Sequence, residues 1–168
     1  MTYLATLIQA LRAIDMHQLA PLVALVAPVR SRGGTLWLCG NGGSFATAQH
    51  WACDLSKVNG VRALVLGAHT PTLTAHANDS SYADALANEL DCYRRAGDAL
   101  IALSCSGTSS NIARALAREI PTLLLTGLVN EATAPADHTI RVASHDYKII
   151  EDCHVAIGHW LTKELAAL

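Results

Sequence analysis

The sequence predicts a single α/β domain in which a five-stranded parallel sheet lies between layers of helices. Five short apolar runs of strand length alternate with longer segments of helical character, and this alternation is typical of parallel sheets covered on both faces. The chain has 168 residues, of which 51% are apolar and only 15% are charged. That composition suits one domain with a large core.

The N-terminal segment is predicted to be helical. Residues 2–28 repeat apolar side chains with helical spacing. Pro21 is expected to start a second helix, because proline suits a first turn, and 31–34 is expected to be a loop. We therefore predict one domain over the whole chain, 1–168, with an N-terminal helical segment at 1–30 and an α/β core at 31–168.

The core elements follow in order along the chain. The predicted strands are 35–39, 62–67, 98–104, 121–127 and 139–144. The first predicted core helix follows the loop after the strand 35–39 and runs to about Lys57. Further helices are predicted over 71–95, with a break near Asn78-Asp79, within 106–119, and from Tyr147 to the end.

Charge and cysteine content narrow the class of protein. The net charge is −2 and the arginines are scattered, unlike the basic stripe of a nucleic-acid binder. The apolar run at 22–29 is far shorter than the roughly 20 residues that span a bilayer, and no signal peptide precedes it. Five cysteines without a Cys-x-x-Cys pair indicate reduced thiols in a cytoplasmic protein. We expect neither a nucleic-acid nor a membrane partner.

A glycine loop, "GNGGS" at 40–44, joins the first core strand to a helix. It lacks both the G-x-G-x-x-G spacing and the G-K-[ST] ending, which disfavours a nicotinamide or nucleoside triphosphate site. His50 and Asp54 lie four residues apart on one face of that helix. They could hold a metal ion or transfer protons.

A second strand-to-helix turn, "SCSGTSSN" at 104–111, is crowded with hydroxyl groups. Gly107 lets a ligand approach the backbone closely, and helix N-termini attract anions. A simple helix cap is the alternative, but so many hydroxyls favour a phosphate monoester bound without Lys or Arg. The hydroxyls belong to Ser104, Ser106, Thr108, Ser109 and Ser110.

Four blocks resemble, in order, those of the sugar isomerase (SIS) domain family in its phosphoheptose isomerase branch. They are "CGNGGSFATAQHWACDL", "TLTAHANDSSYADALANEL", "GDALIALSCSGTSSNIARAL" and "IIEDCHVAIGHWL". The resemblance implies a flavodoxin-like sandwich, a homotetramer with active sites at subunit interfaces, and N-terminal helices that pack in the oligomer. It also implies conversion of sedoheptulose 7-phosphate to a heptose 7-phosphate aldose, with zinc or another divalent metal.

The same resemblance implies the site residues. The phosphate-binding turn would use Ser104, Cys105, Ser106 and Ser109; the first loop would use Asn41, Gly42 and Ser44. Asp79 would contact the sugar. The metal and catalytic positions would be His50, Asp54, Glu151 and His159. Our hypothesis is that Asp54 is the base and His159 its partner in an enediol mechanism.

Three of these residues depart from the family pattern. Asp54 stands where Glu is usual and is one methylene shorter, and a misplacement of about 1 Å can cost roughly 100-fold in rate. Glu151 replaces Gln and adds negative charge. Cys105 replaces Thr.

The last block raises a question of geometry. Glu151 and His159 are separated by about 12 Å of straight helix. We therefore expect Glu151 at or before the helix start, or ligands drawn from different subunits. His154 competes for the same role. The cysteines beside the site residues, Cys53, Cys105 and Cys153, are interpreted as small buried residues.

Two other functions stay open. The first is a catalytically inactive SIS adaptor that binds a protein partner such as a replication initiator; Asp54 keeps it open, whereas His50 and His159 argue against it. The second is a sugar-phosphate-sensing regulatory domain. Such domains usually carry a DNA-binding module, and we expect no room for one in this chain. An isomerase of another sugar phosphate is a variant of the main hypothesis.

Overall fold

A computed structural model of the chain describes residues 2–168. Within them, five parallel strands form one sheet in the order β2-β1-β3-β4-β5. Leu38 of β1 lies opposite Val65 of β2 and Ile101 of β3. The predicted fold class is confirmed. The strands are β1 (Thr35–Gly40), β2 (Arg62–Val65), β3 (Ala99–Leu103), β4 (Thr122–Thr126) and β5 (His138–Arg141).

Helices cover both faces of this sheet. The break predicted near Asn78-Asp79 is the junction between two helices, and the long C-terminal helix begins at Tyr147 as predicted. The helices are α1 (Tyr3–Arg12), α2 (Ala20–Arg32), α3 (Gly43–Asn59), α4 (Thr70–Asp79), α5 (Tyr82–Tyr93), α6 (Ser110–Leu116) and α7 (Tyr147–Ala166); a 3-10 helix spans Met16–Leu19.

The strands alternate their side chains between two apolar layers. Leu36 and Leu38 of β1 pack toward α2, α3 and α7, whereas Trp37 packs toward α5 and α6. Burial on both faces explains why the strands are continuous apolar runs rather than alternating ones. It also explains why they could be located from the sequence.

The second helix runs further than predicted. Residues 31–34 were expected to form a loop, but α2 continues through Pro28 to Arg32. Gly33 ends it with φ +68°, and the Gly34 N–H donates to the Val29 carbonyl over 3.0 Å. A glycine in this left-handed conformation is a common helix terminator.

Several predicted elements are shorter in the structure, and two differ most. The strand expected at 139–144 ends at Arg141, and the helix expected within 106–119 spans only Ser110–Leu116. After Leu116 the chain tightens, because the Arg118 N–H donates to the Ala115 carbonyl, three residues back, instead of continuing the α-helical pattern.

None of the helices among residues 2–168 is, taken singly, both long and apolar enough to cross a bilayer. The segments Tyr3–Arg12 and Met16–Arg32 reach that length only as a pair, with a bend of 77° between them.

Candidate active site

Six of the predicted binding residues meet at one small cavity, which we call the hydroxyl pocket. It lies where β1 and β3 lead into α3 and α6, beside the start of α7. Its volume is about 80 Å³, so it suits one end of a ligand. Its lining consists of Asn41, Ser44, Ser104, Cys105, Ser106, Ser109, Tyr147 and Glu151.

The first loop turns directly from β1 into α3. Gly42 has φ +54° and ψ −122°, a conformation that side chains disfavour. Asn41 exchanges two hydrogen bonds with Asn111, of 3.0 and 2.8 Å, and accepts a third from the Tyr82 hydroxyl over 2.8 Å. These bonds fix the loop against α5 and α6.

Asn111 and Tyr147 are site residues that the sequence prediction missed. Asn111 is buried, so its amide requires partners, and it finds them in Asn41. Its one sequence signal was its place directly after the serine pair. Tyr147 lines the pocket, and its carbonyl faces the Cys105 thiol at 3.7 Å.

The hydroxyl turn, residues 104–110, does not cap α6 through the Ser109 side chain. Ser109 is the N-cap residue of α6, yet its side chain makes no capping hydrogen bond within the described chain. Ser104 accepts a hydrogen bond from the Gly107 N–H over 3.2 Å. The cap alternative therefore leaves the Ser109 hydroxyl unexplained, whereas a ligand in the pocket would engage it.

Cys105 enters the pocket as a neutral thiol. Burial raises the pKa of the Cys105 thiol; a hydrogen bond with Ser44 opposes this, and the nearby Glu151 charge adds to it. The Cys105 sulfur lies 3.7 Å from the Ser44 hydroxyl. A neutral thiol adds no negative charge where an anion would bind.

Glu151 lies in the second turn of α7, so the first of the two expectations, a place at or before the helix start, is wrong. The alternative, ligands drawn from different subunits, stays a prediction. Its carboxylate faces the start of α3, where a methyl group on Gly43 would lie 2.5 Å from both carboxylate oxygens. The partial positive charge of a helix N-terminus favours an anion there. In this chain Glu151 therefore belongs to the hydroxyl pocket.

The other three predicted metal ligands converge on one another. His50 Nε2 and His159 Nε2 are 2.8 Å apart, and Asp54 Oδ2 lies 3.4 and 3.8 Å from them. We call these three residues the His–Asp cluster. The histidine side chains are 47% and 53% exposed and that of Asp54 is 28% exposed.

This donor set fits a divalent metal. Tetrahedral zinc ligands at about 2.0–2.1 Å are separated by roughly 3.3 Å, and the observed separations of 2.8 to 3.8 Å bracket that value. Two imidazoles and one carboxylate that face solvent are typical of a catalytic site with an open position. The described residues thus contain a possible metal-binding group. Glu151 is not part of it.

His154 does not compete for the metal. It is fully buried, and neither ring nitrogen has a hydrogen-bond partner among residues 2–168. Burial lowers the pKa of His154 to about 4, with the Thr126 backbone opposing the shift. His154 is therefore a neutral core residue at pH 7.

Two further expectations have mixed outcomes. Cys105 and Cys153 are buried as interpreted, but Cys53 is exposed, so that interpretation is wrong for Cys53.

Asp79 ends α4 on the surface and accepts a hydrogen bond from the Asn78 side-chain amide over 2.9 Å. It lies outside the hydroxyl pocket.

The hydroxyl pocket and the His–Asp cluster share two helices. Both α3 and α7 begin at the pocket and carry cluster residues further along. Trp51 of α3 donates to the His154 carbonyl of α7 over 3.1 Å, which holds the helices side by side. The helical rise from Ser44 to His50 is about 9 Å.

Comparison with known proteins identifies the family. The family model described as "SIS domain" matches residues 1–119. The phosphoheptose isomerase of Chlorobaculum parvum is 36% identical over 172 aligned residues, which cover 95% of this chain and 82% of that protein.

Two solved structures agree. The phosphoheptose isomerase from Francisella tularensis superimposes with a TM-score of 0.88 at 26% identity and covers 99% of this chain and 95% of its own. The phosphoheptose isomerase from Neisseria gonorrhoeae superimposes with a TM-score of 0.86 at 26% identity and covers 97% of this chain and 95% of its own. The resemblance inferred from the four sequence blocks is confirmed: the chain belongs to the SIS domain family, in its phosphoheptose isomerase branch.

Proposed function

We propose that the chain is a phosphoheptose isomerase that interconverts sedoheptulose 7-phosphate and a D-glycero-heptose 7-phosphate aldose. It is a sugar-phosphate isomerase by class, as its relatives' names indicate. The observation that carries the proposal is the placement of an anion-suited pocket and a His–Asp cluster along one pair of helices. An extended sugar phosphate can reach from one to the other.

The hydroxyl pocket would bind the phosphate. The hydroxyls of Ser104, Ser106 and Ser109 offer hydrogen bonds, and the N-termini of α3 and α6 add partial positive charge. Binding energy at this end would orient the reacting carbons at the other. Asn41, Gly42 and Ser44 would border the sugar, and Asp79 stays a proposed sugar contact.

The His–Asp cluster would carry out the proton transfers. Asp54 would remove the proton from the carbon next to the ketone, and the electron pair of that C–H bond would form the double bond of an enediol. His159 would give a proton to the carbonyl oxygen. The neighbouring hydroxyl would then return a proton to His159 as its C–O bond becomes the aldehyde C=O, and the proton held by Asp54 would pass to the former carbonyl carbon, which gives the aldose. Asp54 faces both imidazoles through Oδ2, which leaves Oδ1 for the proton.

We propose zinc as the metal at this cluster. His50, Asp54 and His159 would hold it, by the fit of their donor atoms. A bound divalent ion supplies a Lewis acid that polarises the carbonyl. The family resemblance implied Glu151 as a further ligand, but its carboxylate lies at the hydroxyl pocket in this chain, so we propose that the metal is held without it.

We also propose that the chain assembles into a homotetramer through its N-terminal helices. Leu4, Ile8 and Leu11 of α1 are 67%, 50% and 36% exposed, and their spacing makes one apolar stripe. A second copy of the chain would cover it. Light scattering should find a tetramer that dissociates in Ile8→Glu; a monomeric wild-type protein would contradict this.

The cytoplasm is the proposed compartment. All five cysteines are free, and Cys53 and Cys92 are exposed. Exposed free thiols suit a reducing compartment.

The test is an NMR assay of the purified protein on sedoheptulose 7-phosphate, before and after chelation and with added zinc. We expect aldose formation that falls on chelation, recovers with zinc and is lost in Asp54→Ala and His159→Ala. Unchanged turnover in both variants would remove their assigned roles. No turnover under any condition would contradict the enzyme and favour the adaptor.

A further inference from the structure

The hydroxyl turn is held in place by a neighbouring loop, residues 127–134, that follows β4. This 127–134 loop forms hydrogen bonds to three consecutive carbonyls of the turn. Their donors and acceptors are Gly127 N–H to Cys105 O (3.1 Å), Asn130 Nδ2 to Ser106 O (3.0 Å) and Ala134 N–H to Gly107 O (2.7 Å). The backbone that carries the pocket hydroxyls is therefore fixed from outside the turn.

Close packing reinforces these bonds. Gly107 has φ +67°, and a methyl group there would lie 2.5 Å from Thr133 Cγ2 and 2.9 Å from Thr126 Oγ1. The loop and the turn are in direct contact at this point. A shift of the loop would therefore move the backbone of Ser106 and Gly107.

One guanidinium group, that of Arg141, forms hydrogen bonds to several residues of the 127–134 loop. Arg141, at the end of β5, is half-buried, and both of its terminal nitrogens donate hydrogen bonds to the 127–134 loop. The rigid planar fork of arginine can serve several acceptors at fixed angles, which an ammonium group cannot do in the same way. Its acceptors are Gly127 O (3.3 Å), Asn130 O (3.0 Å), Glu131 O (2.9 Å) and Thr133 Oγ1 (3.4 Å).

We propose that Arg141 is a positioning residue for the phosphate end of the substrate, acting through the 127–134 loop on the hydroxyl turn. The proposal rests on the function proposed above. Loss of the guanidinium leaves loop carbonyls without their donor, and the turn loses its external support. The His–Asp cluster is carried by α3 and α7, so proton transfer is unaffected. Arg141 therefore sets affinity for phosphate and not the rate of the chemical step.

The experiment compares Arg141→Gln and Arg141→Lys with the wild type. We expect Arg141→Gln to raise both the KM for the sugar phosphate and the inhibition constant of inorganic phosphate by about tenfold, the scale of one hydrogen bond to an anion. The kcat should stay within about twofold, because the catalytic side chains are unchanged. Arg141→Lys should recover only part of the loss, since it keeps the charge without the fork.

Hydrogen exchange gives a readout that does not depend on turnover. The amide of Ala134, bonded to Gly107, should exchange at least about tenfold faster in Arg141→Gln, because local opening exposes it. Arg118→Gln is the matched control. Its guanidinium pairs with Asp91 over 2.8 Å on the other side of α6, so its loss can lower stability without changing KM or Ala134 exchange.

Three results would overturn the proposal. They are unchanged Ala134 exchange in Arg141→Gln, faster exchange with an unchanged phosphate inhibition constant, and full recovery in Arg141→Lys, which would assign the effect to charge alone. Failure of the proposed function is separate and visible in the wild type: inorganic phosphate would then not compete with the sugar phosphate at all.

Discussion

The hydroxyl pocket and the His–Asp cluster lie on the same two helices but are built in opposite ways. The pocket is bordered by strand ends and helix starts, and part-buried hydrogen bonds such as those between Asn41 and Asn111 fix its walls. The cluster consists of three side chains on helix surfaces, with both histidines about half exposed.

This difference separates two tasks. The backbone fixes the pocket before any ligand arrives, so binding at that end needs little rearrangement. The cluster depends on side-chain conformations that a metal ion or another subunit would have to hold. Substitutions in the two regions should therefore affect different kinetic constants.

The largest effect should come from Asp54→Asn. It removes the proposed base at nearly constant volume, so kcat should fall roughly 100- to 10,000-fold, as for loss of a general base. The phosphate inhibition constant should stay unchanged, because the hydroxyl pocket is intact. Steady-state kinetics measures both constants. Ser56→Ala, an exposed change on the same helix, is the control. A fall in phosphate affinity in Asp54→Asn would show that the regions are not separable.

The next effect concerns His154, which lies on α7 between the two regions. Its pKa falls from the ordinary 6.5 to about 4 in the folded protein, so protonation favours the unfolded chain. The stability contributed by the neutral ring is complete above pH 6.5 and is lost as the pH falls toward 4, by about 3 kcal/mol in total.

Urea unfolding at pH 7.5 and pH 4.5 measures this loss. The pH dependence should shrink in His154→Leu and persist in His17→Gln, which changes an exposed histidine. Equal pH dependence in the wild type and His154→Leu would refute the buried, neutral state of His154.

A smaller effect is expected at the pocket from Ser106→Ala and Ser109→Ala. Each removes one hydroxyl from the proposed phosphate site, at about 1.5 kcal/mol or roughly tenfold in KM and phosphate inhibition constant. The kcat should hardly change. Ser31→Ala, on the surface of α2, serves as the control. A loss of kcat at constant KM in the pocket variants would contradict this assignment, because it would place the proton transfer at the hydroxyl pocket.

The smallest effect should come from Glu151→Gln, which tests whether Glu151 belongs to the hydroxyl pocket or to the His–Asp cluster. Its carboxylate lies in the pocket, where it repels a phosphate by about 1 kcal/mol at 4 Å in a water-like medium. The phosphate inhibition constant should fall about fivefold, and zinc content should not change. Glu164→Gln, an exposed change on the same helix, controls for net charge. Loss of zinc from Glu151→Gln would return Glu151 to the cluster.

The sequence was most informative where a signal was local. The strands were located because burial on both faces makes them apolar runs, and the hydroxyl turn because its serines are clustered within 104–110. The end of α2 was misplaced because all of 31–34 was assigned to a loop, whereas the helix continues to Arg32 and Gly33 ends it.

Long-range contacts could not be predicted in the same way. Glu151 was expected to share a metal with His159, but the packing of α7 against α3 turns its carboxylate toward Gly43 and the hydroxyl pocket. Asn111 and Arg141 act through partners brought near only by the fold. No local pattern marks such residues.

The central claim is that the hydroxyl pocket and the His–Asp cluster bind two ends of one substrate. Its most direct test is the distance between them, measured with Mn²⁺ at the cluster as the enhancement of ³¹P relaxation in the bound sugar phosphate. The rise of α3 between Ser44 and His50 predicts a metal–phosphorus distance on the order of 10 Å. A protein that binds both ligands yet shows no enhancement would contradict the account.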